Sequence, residues 1–328
     1  MALETVSVLG GGAWGTALAQ AAAMAGRSVS LMLRNAGQAA EINERHVNST
    51  ALPGQELLPS ILATTEAEAA DIFILAVPAQ ATRTLLTSLD PELLKGKPVI
   101  LSAKGLETGT LARQSEILAD MAPASFGYVL SGPSFAGDVA AGRPTAVTLA
   151  GDDANATSDL AAALAGPSFR PYAADDRIGV EIAGALKNVY ALACGAVDGA
   201  QLGASARSAL IARGYAEMAR MVSALGGSAH TLTGLAGLGD LTLTCTSVQS
   251  RNYQFGMALG AGRRTADILA SGARLAEGVA TAPVAAALAK SLDVDAPLID
   301  AVDAVVAGRA DIATVVAGLM SRPLKREH

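Results

Sequence analysis

The sequence predicts an α/β domain built on a doubly wound sheet, followed by an all-α domain. Three observations carry that prediction. Short apolar runs of strand length alternate with helix-forming stretches through the first half of the chain. Those runs end, again and again, in glycine, small polar or basic residues. From about Gly179 the strand-like runs vanish and long Ala-rich helical segments take over.

Length and composition fit this division. A chain of 328 residues exceeds the usual single core, so two domains are the default: 1–178 and 179–328. Hydrophobic residues are 51% and aromatic ones 3%, so the core has to be built from Ala, Leu, Val and Ile. A formal charge of −6 argues against nucleic acid or an anionic membrane as partner, and any phosphate site must be local. The apolar stretches are broken by Asp, Arg, Lys or Gly before spanning length, which predicts no integral membrane segment. The first strand starts almost at once, leaving no room for a signal peptide, and the expected location is the cytoplasm. Cys194 and Cys245 have no metal-ligand spacing and read as buried free thiols in a reducing compartment, so no metal is expected.

The first strand, residues 6–9, stops at glycines. Gly10, Gly12 and Gly15 fit G-x-G-x-x-G, and good helix-forming sequence follows. The first glycine permits a tight turn, the second lets backbone N–H groups approach a pyrophosphate, and the third lets helix pack on strand. The helix N-terminus then offers free N–H donors and partial positive charge to phosphates. This is the signature of a Rossmann-type dinucleotide site, against the alternative of a glycine-rich turn with no ligand. The second strand, 27–33, ends at Arg34-Asn35, where the fingerprint places an acid for the ribose 2′-hydroxyl. A guanidinium there can hold a 2′-phosphate, which favours NADP(H) over NAD(H); the other reading is a solvated Arg at a strand end.

The run 71–77 reads as a strand buried on both faces, closing at Pro78-Ala79. Strand 97–103 ends in Lys104-Gly105, and strand 126–131 in Gly132-Pro133-Ser134. Strands 143–150 and 169–173 complete the sheet at its far edge. Doubly wound sheets bind ligands outside the carboxyl ends of their strands, so the glycine turn, Arg34-Asn35, Lys104-Gly105 and Gly132–Ser134 fall on one rim. Helices are expected over 179–197, 205–225, 252–260, 279–291 and 295–307, with a cleft between the two domains.

Polar residues inside the apolar helices single themselves out. Lys187-Asn188 follows the stripe Ile182, Leu186, Val189, Ala193. A shielded lysine there needs a task or a partner, whereas a surface lysine snorkelling from its helix needs neither. Asp240 opens a segment in which Thr244 lies one turn on, on the same face; an N-cap aspartate is the alternative. Ser250 would cap the helix that follows, with Arg251 and Asn252 in its first turn. Arginine is unfavourable for the dipole at that end unless an anion sits there too.

GGGAWGTALA, SAKGLE, SGPSFAGDVAAGRPTAV, GALKNVYALACG and GLAGLGDLTLTCTSVQSRNYQFG, in that order, resemble the bacterial NAD(P)-dependent glycerol-3-phosphate dehydrogenases, to Glu277 in RLAEGVATA. The resemblance implies reduction of dihydroxyacetone phosphate to sn-glycerol 3-phosphate for glycerophospholipid synthesis. It implies Lys187 as the catalytic proton donor and acceptor. The implied substrate site is Lys104, Gly132, Ser134, Asp240, Ser250, Arg251 and Asn252, to which the chemistry adds Asn188 and Thr244 as its polar floor. Trp14, Arg34, Lys104, Ala136, Arg251 and Glu277 are implied to contact the cofactor, beside Gly10, Gly12, Ala13, Gly15 and Asn35 at the strand ends. Ala13 stands where many relatives carry Ser, and a backbone N–H serves as well. A homodimer is compatible with the sequence, which leaves the oligomeric state open. His46, His230 and His328 lie outside every motif. The competing readings are a related 3-hydroxyacid or phosphosugar-acid dehydrogenase, which also wants a Lys-Asn pair, and a non-catalytic NADP(H)-binding sensor.

Overall fold

The computed structural model describes residues 3–272, 275–324 and 326; His328 lies outside them. An eight-stranded sheet carries the first half: β1 (Thr5–Leu9), β2 (Ser28–Met32), β3 (Ile61–Thr64), β4 (Ile72–Leu75), β5 (Pro98–Leu101), β6 (Phe126–Ser131), β7 (Thr145–Ala150) and β8 (Phe169–Ala174). Helices α1 (Ala13–Met24), α2 (Ala36–Arg45), α3 (Thr82–Ser88), α4 (Gln114–Met121), α5 (Ala136–Ala140) and α6 (Ala154–Leu164) connect them. The spatial order is β3-β2-β1-β4-β5-β6-β7-β8. Strands β1 to β6 are all parallel, in the register Val6↔Val29, Val6↔Ile72, Phe73↔Val99 and Val99↔Gly127. Among these eight strands the β6–β7 pairing alone is antiparallel. The expected doubly wound sheet is present, and the strand ends named from the sequence therefore share one edge.

The central strands are apolar because helices cover both faces. All four residues of β4 are buried, and so are Val99, Ile100 and Leu101 of β5. Strand β3 was not expected. It is an edge strand of four residues inside a polar, turn-rich stretch, too short to show a period.

The second half is helical: α7 (Arg177–Gly199), α8 (Ala204–Ala224), α9 (Asp240–Thr246), α10 (Arg251–Gly260), α11 (Thr265–Ala270), α12 (Glu277–Ser291), α13 (Pro297–Val306) and α14 (Ile312–Met320). Five match the expected helices to within about two residues, and α9 starts at Asp240 as expected. Helices α11 and α14 were missed. Helix α14 follows α13 across a short break, and Asp311 caps it through the Thr314 N–H at 2.7 Å.

Helix α7 is the spine of this half, with Val180, Ile182, Ala183, Leu186, Val189 and Tyr190 essentially inaccessible. Glycines set its distance from α10. A Cβ on Gly195 would lie 2.0 Å from the Tyr253 carbonyl oxygen, and one on Gly256 would lie 2.1 Å from that of Leu192. Backbones in contact leave no space for side chains between these helices, which fixes how residues near the start of α10 meet α7. Among the described residues α7 alone has the length and apolarity of a membrane span, and 94% of that window is buried in the fold. Cys194 and Cys245 are buried free thiols, as expected.

Candidate active site

Helix α7 reaches the sheet rim because it carries glycine where it crosses β6. A Cβ on Gly184 would lie 2.8 Å from Ser131 Oγ, at the carboxyl end of β6, and 3.5 Å from Lys104 Cγ. Lys187 follows three residues later on the same face. Its side chain is 7% exposed, so it is no surface lysine. Nζ donates to Asp240 Oδ1 and to Thr244 Oγ1 at 2.9 Å.

Asp240 arrives from the other side. A π-helical turn, Leu235–Gly239, runs directly into α9, and Gly237 is obligatory in it because a Cβ would meet the Leu232 backbone at 2.2 Å. Gly239 occupies the N-cap of α9, so the Asp240 carboxylate is not a cap. It turns inward, 1% exposed, and its Oδ2 accepts from Lys104 Nζ at 2.7 Å. One buried carboxylate thus joins an ammonium of the helical half to an ammonium at the end of β5.

Gly132 and Ser134 close the cluster. Gly132, at φ +142°, turns its carbonyl to accept from Lys104 Nζ at 3.1 Å and from Ser134 Oγ at 2.9 Å. A side chain at Gly132 would strike Val147 Cα at 2.9 Å. The charges set the proton affinities. Burial pushes the Lys187 ammonium down to about 8, with the nearby Lys104 charge acting the same way and Asp240 opposing both. Burial favours a neutral Asp240, but the two ammoniums outweigh it and hold the carboxyl below its ordinary range.

Asn188 and Asn252 meet behind this cluster and hold backbone. The Gly278 N–H donates to Asn252 Oδ1 at 2.9 Å, Asn252 Nδ2 to Asn188 Oδ1 at 2.8 Å, and Asn188 Nδ2 to the Lys104 carbonyl at 2.9 Å. This amide chain ties α12, α10 and α7 to the end of β5. Ser250 caps α10 through the Tyr253 N–H at 3.2 Å, and Arg251 is exposed in the first turn. Glu277 accepts from the Ala79 N–H at 3.3 Å, and burial raises its carboxyl against the pull of Arg251 and Lys104.

Farther along the rim lies the glycine turn. Gly10 has φ +126°, and a Cβ there would lie 2.7 Å from the Ala76 carbonyl oxygen; a Cβ on Gly15 would lie 1.8 Å from that of Gly10. Gly12, the α1 N-cap, faces open space. Two glycines are demanded by packing, and the third leaves a cradle for a phosphate beside the first free N–H groups of α1. Trp14 Nε1, just after the turn, is buried with no hydrogen-bond partner among the described residues. Trp14, Ala13 and Ala136 pack against the same core. Arg34 is exposed just past β2, and Asn35 caps α2 through the Gln38 N–H at 3.1 Å. These residues fit a dinucleotide; they stand apart from the ammonium cluster, as the two ends of such a molecule require.

Residues 5–157 match the NAD-dependent glycerol-3-phosphate dehydrogenase N-terminus, and residues 176–317 match the C-terminus of the same family. The chain belongs to this dehydrogenase family. Glycerol-3-phosphate dehydrogenase [NAD(P)+] of Caulobacter vibrioides is 49% identical over 330 residues, covering 100% of both chains. The enzyme of that name from Methylobacterium radiotolerans is 52% identical, over 100% of this chain and 99% of its own. The glycerol-3-phosphate dehydrogenase crystal structure from Coxiella burnetii superposes with a TM-score of 0.91 at 37% identity, covering 97% of this chain and 99% of that one. The chain is an NAD(P)-dependent oxidoreductase, and the hydroxyacid-dehydrogenase and sensor readings are not favoured.

Some residues of this candidate site escape sequence reasoning. Ala79 and Gly278 contribute only backbone N–H groups, which every residue type except proline carries. Gln38 and Asn48, which grip the glycine turn, sit in stretches where Asn and Gln read as turn and surface residues. His46 and His230 contribute nothing to the cluster around Asp240.

Proposed function

We propose that Lys187 is the proton donor for reduction of dihydroxyacetone phosphate to sn-glycerol 3-phosphate, and the proton acceptor in reverse. One observation carries this reading: Asp240 is shared between the Lys187 ammonium of the helical half and Lys104 on the rim of the sheet half. When bound, the nicotinamide supplies the hydride that reaches C2 of the ketone. Lys187 holds its proton toward the C2 oxygen, and a proton affinity near 8 lets it release that proton near neutral pH. Asp240 and Thr244 fix the ammonium, and Lys104 adds positive charge beside the developing alkoxide. Arg251 and the start of α10 after Ser250 hold the phosphate, whose binding positions the ketone. Lys104, Ser134, Asn188 and Asn252 complete the substrate pocket between residues 1–178 and 179–328.

Gly10, Gly12, Ala13, Trp14 and Gly15 hold the dinucleotide's phosphates, Ala136 and Glu277 flank it, and Arg34-Asn35 sit at the adenosine ribose. Arg34 is the feature that favours NADP(H) over NAD(H). Initial rates with dihydroxyacetone phosphate test the activity and this preference together. The wild type is expected to turn over with a lower KM for NADPH than for NADH. Arg34→Ala should raise the NADPH KM by about tenfold or more and the NADH KM by less than twofold. Equal changes for the two cofactors would remove Arg34 from the 2′-phosphate.

A further inference from the structure

We infer that Asn48 is a positioning residue for the dinucleotide, aiming the peptide of the glycine turn by holding its carbonyl from behind. The inference rests on the reading that this turn receives the cofactor's pyrophosphate. Asn48 lies in the connection from α2 to β3 and is 1% exposed, although it is polar and sits in a loop. Its Nδ2 donates to the Gly11 carbonyl at 3.1 Å and to Thr16 Oγ1, on α1, at 2.8 Å. Its Oδ1 accepts from the Ala51 N–H at 3.2 Å and from Gln38 Nε2 at 2.6 Å. The orientation of the amide is fixed, because a backbone N–H only donates and a backbone carbonyl only accepts. Gln38 Nε2 also reaches the Gly11 carbonyl at 3.4 Å, so two amides converge on one oxygen.

The consequence follows from peptide geometry. In a planar trans peptide the C=O and N–H point in opposite directions. Tethering the Gly11 oxygen toward Asn48 therefore turns the Gly12 N–H to the opposite side, in a turn where a Cβ on Gly12 would meet nothing within 4 Å. Glycines rotate freely, and Gly11 and Gly12 are adjacent, so without a tether this peptide has little to hold its orientation. Gln38 belongs to the first turn of α2, directly after Arg34-Asn35. The same contacts therefore link the phosphate turn to the residues at the adenosine ribose.

Trp14 is the single tryptophan of the chain and stands just after the turn, which makes its fluorescence the probe. Wild type, Asn48→Asp and Gln38→Leu would be titrated with NADPH and with NADH, and with adenosine 2′-monophosphate as a competitor lacking the pyrophosphate. Asn48→Asp keeps the shape but sets an acceptor against the Gly11 carbonyl. It should weaken NADPH and NADH by the same factor, about tenfold or more, and Gln38→Leu should weaken both by about threefold. Adenosine 2′-monophosphate should compete within twofold of its wild-type strength, and kcat at saturating cofactor and the KM for dihydroxyacetone phosphate should hold within twofold. NADPH affinity within twofold of wild type in both variants would overturn the inference. So would a parallel loss of adenosine 2′-monophosphate and ketone binding, the mark of general loosening. If Asn48→Asp does not fold, the partly exposed Gln38→Leu decides by itself. A wild type that binds neither cofactor would overturn the underlying cofactor reading, and this inference with it.

Discussion

Replacing Lys187 with methionine is expected to lower kcat for dihydroxyacetone phosphate reduction by about 10³-fold or more while NADPH still quenches Trp14 at its wild-type Kd. Methionine keeps the unbranched stem that packs inside α7 and removes only the Nζ. Asp240 is not stranded by the change, because Lys104 still holds Oδ2 and the Thr244 hydroxyl lies 3.2 Å from Oδ1. The fold should therefore survive, and the loss should appear in kcat rather than in cofactor affinity. Steady-state rates with a parallel fluorescence titration read both quantities. Turnover within tenfold of wild type would show that another group donates the proton.

Asp240→Asn should do more damage, to stability as well as rate. Wild type places two ammoniums on one carboxylate in a largely buried site. The amide keeps the shape but removes the counter-charge, leaving like charges buried together at a cost of about 3–5 kcal/mol. The cheapest relief is to neutralise Lys187, whose proton affinity burial has already lowered. The variant should thus have a lower melting temperature and turn over poorly at neutral pH. The pH dependence has a definite sign. Asp240 is held below its ordinary range in the folded state, so its stabilisation is complete above about pH 4 and is lost as pH falls through the folded value. The gap between wild type and variant should shrink once the pH falls below about 4, where the wild type loses the contribution of the carboxylate. Thermal unfolding at several pH values measures it, and a gap that widens below pH 4 would contradict this account of the cluster.

The sequence made some levels of this molecule legible and left others hidden. Residues whose side chains are unusual for their place stood out: a lysine inside an apolar helix, an aspartate after a glycine-rich turn, an arginine where an acid is usual. The sheet class and its shared rim followed from strand-end punctuation, since a buried parallel strand such as β4 is apolar on both faces. Short edge elements were hidden, because four residues of β3 in a polar stretch carry too little pattern to rise above loop. Backbone donors such as the Gly278 N–H were hidden for a different reason: every residue type except proline supplies one. The amide chain through Asn188 and Asn252 was half legible. Both residues were visible as polar intruders, but their mutual contact depends on the glycines that let α7 and α10 touch.

The central claim is that the proton delivered to the C2 oxygen of the substrate comes from the Lys187 ammonium, and its titration tests this most directly. The measurement is kcat/KM for dihydroxyacetone phosphate reduction and for sn-glycerol 3-phosphate oxidation, each followed from pH 7 to 10 on wild-type enzyme. Reduction needs the protonated amine, so it should fall through a step near pH 8, and oxidation, which needs the free amine, should rise through the same step. Two flat profiles, or two that move together across this range, would contradict it.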